Sequence, residues 1–263
     1  MPGYGYLLGI VYAIFGHSLT AAYAFQALLS ASSIVLIYLL GKRLAKESVA
    51  IVAAAGGIVS QSLIFHTGML TGDTFAVFLT VSMLLVLSIA MERSGALYFL
   101  MAGSITGLGV LARGTFAIFA VLFAVWYLVA ERRHFISKAL PHCLAFVLGT
   151  ILVIAPVTLK NALVGDDFVL VTAHDGINFY IGNNPHARGN LQPVPELGLH
   201  RQEMLINAKI IAERNEGKEL KPSEVSSYWR TRVFQFIGKH PLRFSGLIGE
   251  KTLAFFNAYE SPM

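Results

Sequence analysis

The chain has 263 residues, of which 55% are hydrophobic and only 13% are charged. Soluble globular domains carry about 25% charged residues, so this composition excludes an ordinary soluble domain and indicates a membrane protein. The formal net charge of +5 does not indicate nucleic-acid binding, because most basic residues lie beside apolar runs, where they act as topology anchors. The single cysteine, Cys143, excludes an intramolecular disulfide framework.

The first apolar stretch follows a Pro-Gly turn and predicts a helix that lies at the membrane interface. A membrane-spanning helix needs about 20 apolar residues, and backbone hydrogen bonding in lipid requires such a run to be helical. We therefore predict an all-α polytopic membrane protein whose residues 1–163 form a bundle of about six transmembrane helices. The six predicted spans are Leu19–Leu40, Ser48–Phe65, Thr74–Met91, Gly95–Ala112, Thr115–Ala130 and Ala139–Leu159.

The lysines and arginines between these spans predict the orientation of the bundle. Positive residues favour the cytoplasmic side. The connectors after the second and fourth spans contain one such residue, Arg113, which places them outside with everything after Lys160. The connectors after the first, third and fifth spans, which we place inside, contain seven: Lys42, Arg43, Lys46, Arg93, Arg132, Arg133 and Lys138.

Residues 164–263 are more polar and predict an extracytoplasmic segment of loops and amphipathic helices. Residues 164–200 are rich in Gly, Asn, Asp and Pro, and predict an ordered loop with short strand pieces such as Phe168–Thr172. Within this loop, the sequence GINFYIGNNP at 176–185 predicts turns. Apolar periodicity predicts helices at 201–215 and from Ser223 to Gly238, and Leu242–Phe256 is predicted to lie along the interface.

Five stretches, in this order along the chain, resemble the GT-C glycosyltransferases, and within them the branch of the protein mannosyltransferases and the bacterial aminoarabinose transferase. The stretches are PGYGYLLGIVYAIFG, the span end LLGKRL, LIFHTGMLTGDTFAVFL, GLGVLARGTFAI, and the long segment from APVTLKN to FYIGNNP.

This resemblance implies an integral-membrane glycosyltransferase that takes a sugar from a polyprenyl-phosphate carrier. The acceptor would be a protein, lipid or glycan on the outer face of the membrane, and membrane lipid would surround the bundle. The resemblance implies no cofactor. We expect the protein to lie in the bacterial inner (plasma) membrane with its C-terminal segment outside.

The resemblance also implies substrate-binding residues. Members of the family place an acidic residue in their second outer loop, and Asp73 matches it. They carry Arg-Pro at the turn matched by Arg113, where this chain has Gly114, and Arg suits bidentate contacts with the carrier phosphate. Lys160-Asn161 stands where relatives have Arg-Asn, so Lys160 is a second candidate for the phosphate. Snorkelling to lipid headgroups and helix capping are the structural alternatives for these residues.

Further candidates are His66 in the second outer loop and Asn178, Tyr180 and Asn183 in the GINFYIGNNP segment, which in the family leads into the domain that covers the site. Aromatic rings there can stack on a sugar face, whereas the asparagines can instead cap their own backbone. Lone histidines such as His66 are more often structural than functional. No His or Cys spacing indicates a metal site.

The family's catalytic aspartate lies in a first outer loop that precedes the PGYG segment, with which this chain begins. The catalytic residue therefore stays unidentified, and we expect the chain to be a fragment or a truncated gene product that is inactive alone.

Two other functional classes remain open from the sequence. A transporter or flippase would bind a lipid-linked substrate without chemistry, but such proteins tend to carry inverted repeats, and none is visible here. A non-catalytic scaffold whose outward segment binds a partner is compatible with the amphipathic helices after residue 200. It does not explain an outward Asp73 and Arg113.

Overall fold

The computed structural model describes residues 2–190, 192, 194–198 and 200–256. They belong to two compact units, Met1–Lys160 and Asn161–Met263. The described residues are mainly α-helical and contain no β-strand, apart from an isolated bridge between Val194 and Gly198. The predicted all-α fold class is confirmed.

The first unit contains the apolar helices. Long apolar runs without interior charges explain them, because each run can satisfy its backbone only internally. In chain order they are α1 (Gly3–Phe15), α2 (Leu19–Leu44), α3 (Glu47–Ile58), α4 (Gln61–Thr67), α5 (Asp73–Arg93), α6 (Ala96–Ala112), α7 (Thr115–Ala130) and α8 (Leu140–Val164), with one 3-10 turn (Arg132–His134) and one π turn (Phe135–Ala139) before α8.

Three helical segments among the described residues are long and apolar enough to cross a membrane alone: α2, α5 and the continuous segment Arg132–Val164. A bent pair, α3 with α4, makes a fourth candidate. The remaining two predicted spans, α6 and α7, are helical over 17 and 16 residues, which corresponds to about 25 Å of helix. All six predicted segments are therefore helical, and the count of six membrane crossings stays a prediction.

The second predicted span, Ser48–Phe65, is wrong as a single helix. The chain breaks after Ile58, and the axes of α3 and α4 differ by 51°. Two glycines precede the break, and Ser60 then begins α4 by accepting a hydrogen bond on its hydroxyl from Leu63 N. Gly and Ser together are a recognised cause of helix kinks, because glycine stabilises the helix poorly and the serine competes for backbone bonds.

Small residues allow close helix packing in the first unit. A methyl group built on Gly103 of α6 would lie 1.9 Å from the carbonyl oxygen of Phe146 on α8. One built on Gly149 of α8 would lie 2.2 Å from the carbonyl oxygen of Leu100. Thr150 then donates a hydrogen bond from Oγ1 to the Gly103 carbonyl, at 3.0 Å. This is the small-residue packing that membrane helices use where lipid supplies no hydrophobic driving force.

The second unit is built on its own apolar core. The core includes Ile177, Tyr180, Leu197, Trp229 and Val233, and Trp229 is fully buried. The helices that supply and surround this core are α9 (Asp175–Gly182), α10 (Arg201–Glu216), α11 (Pro222–Lys239) and α12 (Pro241–Phe255). The predicted helices at 201–215 and from Ser223 are both present, with boundaries shifted by one residue.

Two predictions for this unit are wrong. Phe168–Thr172 is not a strand; its Val169 and Val171 carbonyls instead accept hydrogen bonds from the Asn161 side chain, at 2.9 and 3.3 Å. The segment 176–185 is mostly helical, because Ile177 and Tyr180 lie on one face of α9 and bury in the core. Only its last residues turn.

Candidate functional site

Three charged or titratable side chains, each at or next to the end of a helix, meet at one end of the first unit. Arg113 forms an ion pair with Asp73 through Nη2 and Oδ1. His66 Nδ1 lies 3.6 Å from the other carboxylate oxygen of Asp73. We call His66, Asp73 and Arg113 the Asp73 cluster. The structure thus brings together three of the predicted substrate-binding residues.

Helix ends position these groups. Asp73 is the first residue of α5, where the helix dipole favours an acid. Arg113 follows α6 in an extended conformation, with φ −148° and ψ 127°, and its N–H donates to the Gly109 carbonyl at 2.7 Å. Since α5 and α6 pack side by side with a short connection, the beginning of one helix lies beside the end of the other.

A buried amide supports the cluster from behind. Gln26 of α2 is 1% exposed and donates from Nε2 to the carbonyls of His66 and Thr67, both at 3.0 Å, and to that of Met69. Its Oε1 accepts a hydrogen bond from the Tyr4 hydroxyl. These bonds connect α1, α2, the end of α4 and the segment that follows α4. Sequence reasoning missed both residues, although Gln26 is the one amide within an otherwise apolar run, which is a signal in membrane proteins.

Unused hydrogen-bonding capacity surrounds Asp73. Within the described residues, three buried side-chain atoms have no hydrogen-bond partner: His66 Nδ1, Thr71 Oγ1 and Thr74 Oγ1. All three lie within eight positions of one another along the chain, on either side of Asp73. Buried polar atoms are normally paired, so unpaired groups concentrated beside a charged pair are typical of a binding site.

The other end of the bundle carries a different set of charges. Arg43 at the end of α2 pairs with Glu92 near the end of α5, and its Nε donates to Ser88 Oγ at 3.1 Å. Asp73 and Glu92 lie near opposite ends of α5, whose 21 residues extend about 30 Å. This length equals the hydrocarbon thickness of a bilayer. The two charged groups therefore suit opposite membrane surfaces.

Lys160 does not join the Asp73 cluster. It is exposed near the end of α8 and makes no ion pair within the described part of the chain. Its role in binding phosphate stays a prediction.

The remaining three predicted site residues lie in the second unit. Asn178 is exposed on α9. The ring of Tyr180 packs against Trp229, with 4.6 Å between centroids, and its hydroxyl donates to Glu196 at 2.9 Å. Burial and the Glu196 carboxylate raise the pKa of Tyr180 to about 12. Asn183 donates to the Phe179 carbonyl at 2.9 Å and accepts from Lys251 Nζ at 2.8 Å. The observed contacts of Tyr180 and Asn183 are thus those of core packing and helix capping.

Among the described residues, no three His, Cys, Asp or Glu side chains lie close enough together to form a candidate metal site.

Apolar helices with a charged cluster at one end define an integral membrane protein of the all-α class. A sequence model of the dolichyl-phosphate-mannose-protein mannosyltransferase family matches residues 1–159, which is more than half of the chain and includes the whole Asp73 cluster. The chain belongs to this family and is a membrane glycosyltransferase of the GT-C type. No curated protein and no solved structure matches it.

Proposed function

We propose that the protein takes part in the transfer of a sugar from a polyprenyl-phosphate carrier, and that the Asp73 cluster binds the carrier phosphate; the catalytic residue of this transfer stays unassigned. The observation that carries this proposal is the Arg113–Asp73 pair beside unpartnered polar atoms at one end of the bundle. Arg113 is the residue best suited to the phosphate, because a guanidinium presents several donors to an anionic oxygen group.

The chemistry of the transfer explains why a cation is needed there. The acceptor oxygen or nitrogen forms a bond to the anomeric carbon and gives up its proton to a base or to solvent, while the carrier phosphate leaves with the electrons of the broken C–O bond. Charge therefore develops on the phosphate oxygens, and fixed donors stabilise it. The Arg113 side chain is 56% exposed, so it has room to exchange part of its contact with Asp73 for one with phosphate. Asp73 orients the guanidinium before the donor binds.

We further propose that this end of the bundle faces outward and that the acceptor is a protein, lipid or glycan on the outer side of the bacterial inner membrane. The distribution of lysine and arginine supports this orientation, since positive residues accumulate at the opposite end. The second unit, which follows α8, would then lie on the same outer side as the acceptor.

Donor binding by matched arginine variants tests the proposal. Arg113→Ala should weaken binding of polyprenyl-phosphate-mannose about ten- to hundredfold, because a hydrogen bond to a charged group contributes roughly 1.5–3 kcal/mol. Arg93→Ala is the control. Arg93 lies at the other end of α5, where its Nη1 donates to the Tyr98 hydroxyl at 2.7 Å. Binding is measured with the full chain in nanodiscs. Equal losses in the two variants would reduce Arg113 to a membrane anchor and overturn the proposal.

A further inference from the structure

The last helix of the second unit has an unusual distribution of polar and apolar side chains. The charged residues of α12 are Arg243, Glu250 and Lys251. All three make contacts within their own unit: Arg243 donates to Glu250 at 2.6 Å and to the Ala187 carbonyl at 2.7 Å. Lys251 donates to Asn183 Oδ1 at 2.8 Å, and burial lowers its pKa.

The opposite face of α12 is apolar and exposed. Leu242, Leu253 and Phe255 are 88%, 77% and 81% exposed, and Ile248 is exposed between them. The other exposed positions of the helix are glycine, serine, threonine, alanine or its first proline, so this face carries no charge. A helix on a water-exposed surface shows the reverse arrangement, with charges outward and apolar residues toward the core. We call the exposed side of Leu242, Ile248, Leu253 and Phe255 the outward face.

Two further observations indicate what covers this face. The second unit begins at Asn161, in the last turn of α8, and the segment that contains α8 is long and apolar enough to cross a membrane, so the chain enters this unit at the end of a candidate span. Lys239 and His240 are both exposed at the beginning of α12, where a cation complements the anionic headgroups of lipid. An apolar stripe with a basic residue at its beginning is compatible with a helix that lies in the membrane interface.

We propose that the outward face of α12 binds the bilayer surface, with Leu242, Leu253 and Phe255 inserted among the lipid chains. This contact gives the second unit a second attachment to the membrane, besides its covalent link to α8. Two attachment points restrict how the unit moves over the membrane surface. The proposal does not depend on which substrate the enzyme uses.

Spin-label accessibility of the full chain in nanodiscs that contain anionic lipid tests the proposal. Labels are attached to single cysteines at Leu242→Cys, Leu253→Cys and Phe255→Cys, in a Cys143→Ser background that also carries Trp126→Phe, so that Trp229 is the remaining tryptophan. Glu216→Cys is the matched control, because Glu216 is exposed at the end of α10, another helix of the same unit. Each variant is accepted only if Trp229 fluorescence is unchanged, which is expected because the outward residues are not part of the core.

The three labels on the outward face should collide more with oxygen than with a water-soluble nickel chelate, and the Glu216→Cys label should show the reverse. Nickel-chelate accessibility at all four positions would place the face in water and overturn the proposal. Dipolar broadening between labels on different chains, persisting when the nanodiscs hold excess lipid, would mean that a second copy covers the face instead, and would overturn it equally.

Discussion

At the scale of single side chains, Gln26 connects three segments that meet beside Asp73. Its Nε2 donates hydrogen bonds to the carbonyls of His66 and Thr67, and its Oε1 accepts a hydrogen bond from the Tyr4 hydroxyl. Such a group is costly to lose, because the Gln26 amide is itself buried and the part-buried carbonyls would lose their donor. The geometry of the Asp73 cluster therefore depends on a residue that does not belong to it.

Gln26→Leu should lower the free energy of unfolding by about 2–3 kcal/mol, because several backbone carbonyls lose their donor at once. Tyr4→Phe removes only the hydroxyl that binds Gln26 and should cost about 1 kcal/mol. Both are measured by unfolding in mixed micelles followed by circular dichroism. If Gln26→Leu lowered the free energy of unfolding no more than Tyr4→Phe does, the Gln26 amide would not stabilise the chain at the end of α4.

Asp175 makes a pH-dependent contribution to the second unit. Partial burial would raise the pKa of Asp175, but hydrogen bonds from Ser226 Oγ, at 2.7 Å, and from Arg230 outweigh it and hold the pKa below its ordinary value of 3.8. A carboxylate with a lowered pKa stabilises the folded state above the unfolded-state pKa, and this stabilisation is lost as pH falls through the folded-state value.

The unfolding midpoint of the second unit should therefore decrease as pH falls below about 4, and Asp175→Asn should flatten that decrease. Trp229 fluorescence in a Trp126→Phe background reports this unit. Parallel pH curves for the two proteins would exclude a contribution from Asp175.

The three residues of the Asp73 cluster were each predictable from the sequence, although their contacts were not. Asp73, Arg113 and His66 each stand at the end of an apolar run, and charge patterning places all three on one side of the membrane. Their pairing was not predictable, because it depends on α5 and α6 packing side by side. Gln26 and Tyr4 are 22 residues apart, and only the packed helices make them neighbours.

At the scale of the helix, α6 and α8 illustrate packing that depends on the absence of side chains. Gly103 and Gly149 bring the two backbones so close that an added methyl group would overlap a carbonyl oxygen. The close approach also allows the hydrogen bond from Thr150 to the Gly103 carbonyl.

Gly103→Ala should destabilise the bundle by about 1–3 kcal/mol, the usual cost of overpacking. Gly56→Ala in α3 is the control, because nothing lies within 4 Å of a methyl group built there, and alanine is the better helix former. Unfolding midpoints in the same micelles compare the two. Equal unfolding midpoints for the two variants would show that α6 and α8 accommodate the added methyl group at Gly103 without loss of stability.

The sequence predicted where the helices lie better than it predicted whether each helix is continuous. Long apolar runs predicted α2 and α5 almost to their ends, since length and the absence of charge are sufficient signals. The break between α3 and α4 depends on local competition at Ser60. The helix α9 was missed because its asparagines and glycines indicate turns, whereas burial of Ile177 and Tyr180 in the core overrides that local preference.

At the scale of the whole molecule, the six predicted crossings place the connector 131–138 inside and the second unit outside. Ser137→Cys should therefore resist a membrane-impermeant maleimide in intact cells, whereas Asn190→Cys should react, both in a Cys143→Ser background. Ser137 and Asn190 are both exposed, so burial does not protect either. Both should react after the cells are permeabilised. If only Ser137→Cys were labelled in intact cells, the orientation would be the opposite of the predicted one.

The most direct measurement of where the donor binds is photocrosslinking with a polyprenyl phosphate that carries a photoreactive group next to the phosphate. The full chain in nanodiscs is irradiated, digested and analysed by mass spectrometry, with and without excess polyprenyl-phosphate-mannose. Crosslinks that the excess donor removes should lie at 66–74 and around Arg113, at the end of the bundle that holds the Asp73 cluster. Competed crosslinks found only at 41–47 and 88–94, around the Arg43–Glu92 pair, would contradict donor binding at the Asp73 cluster.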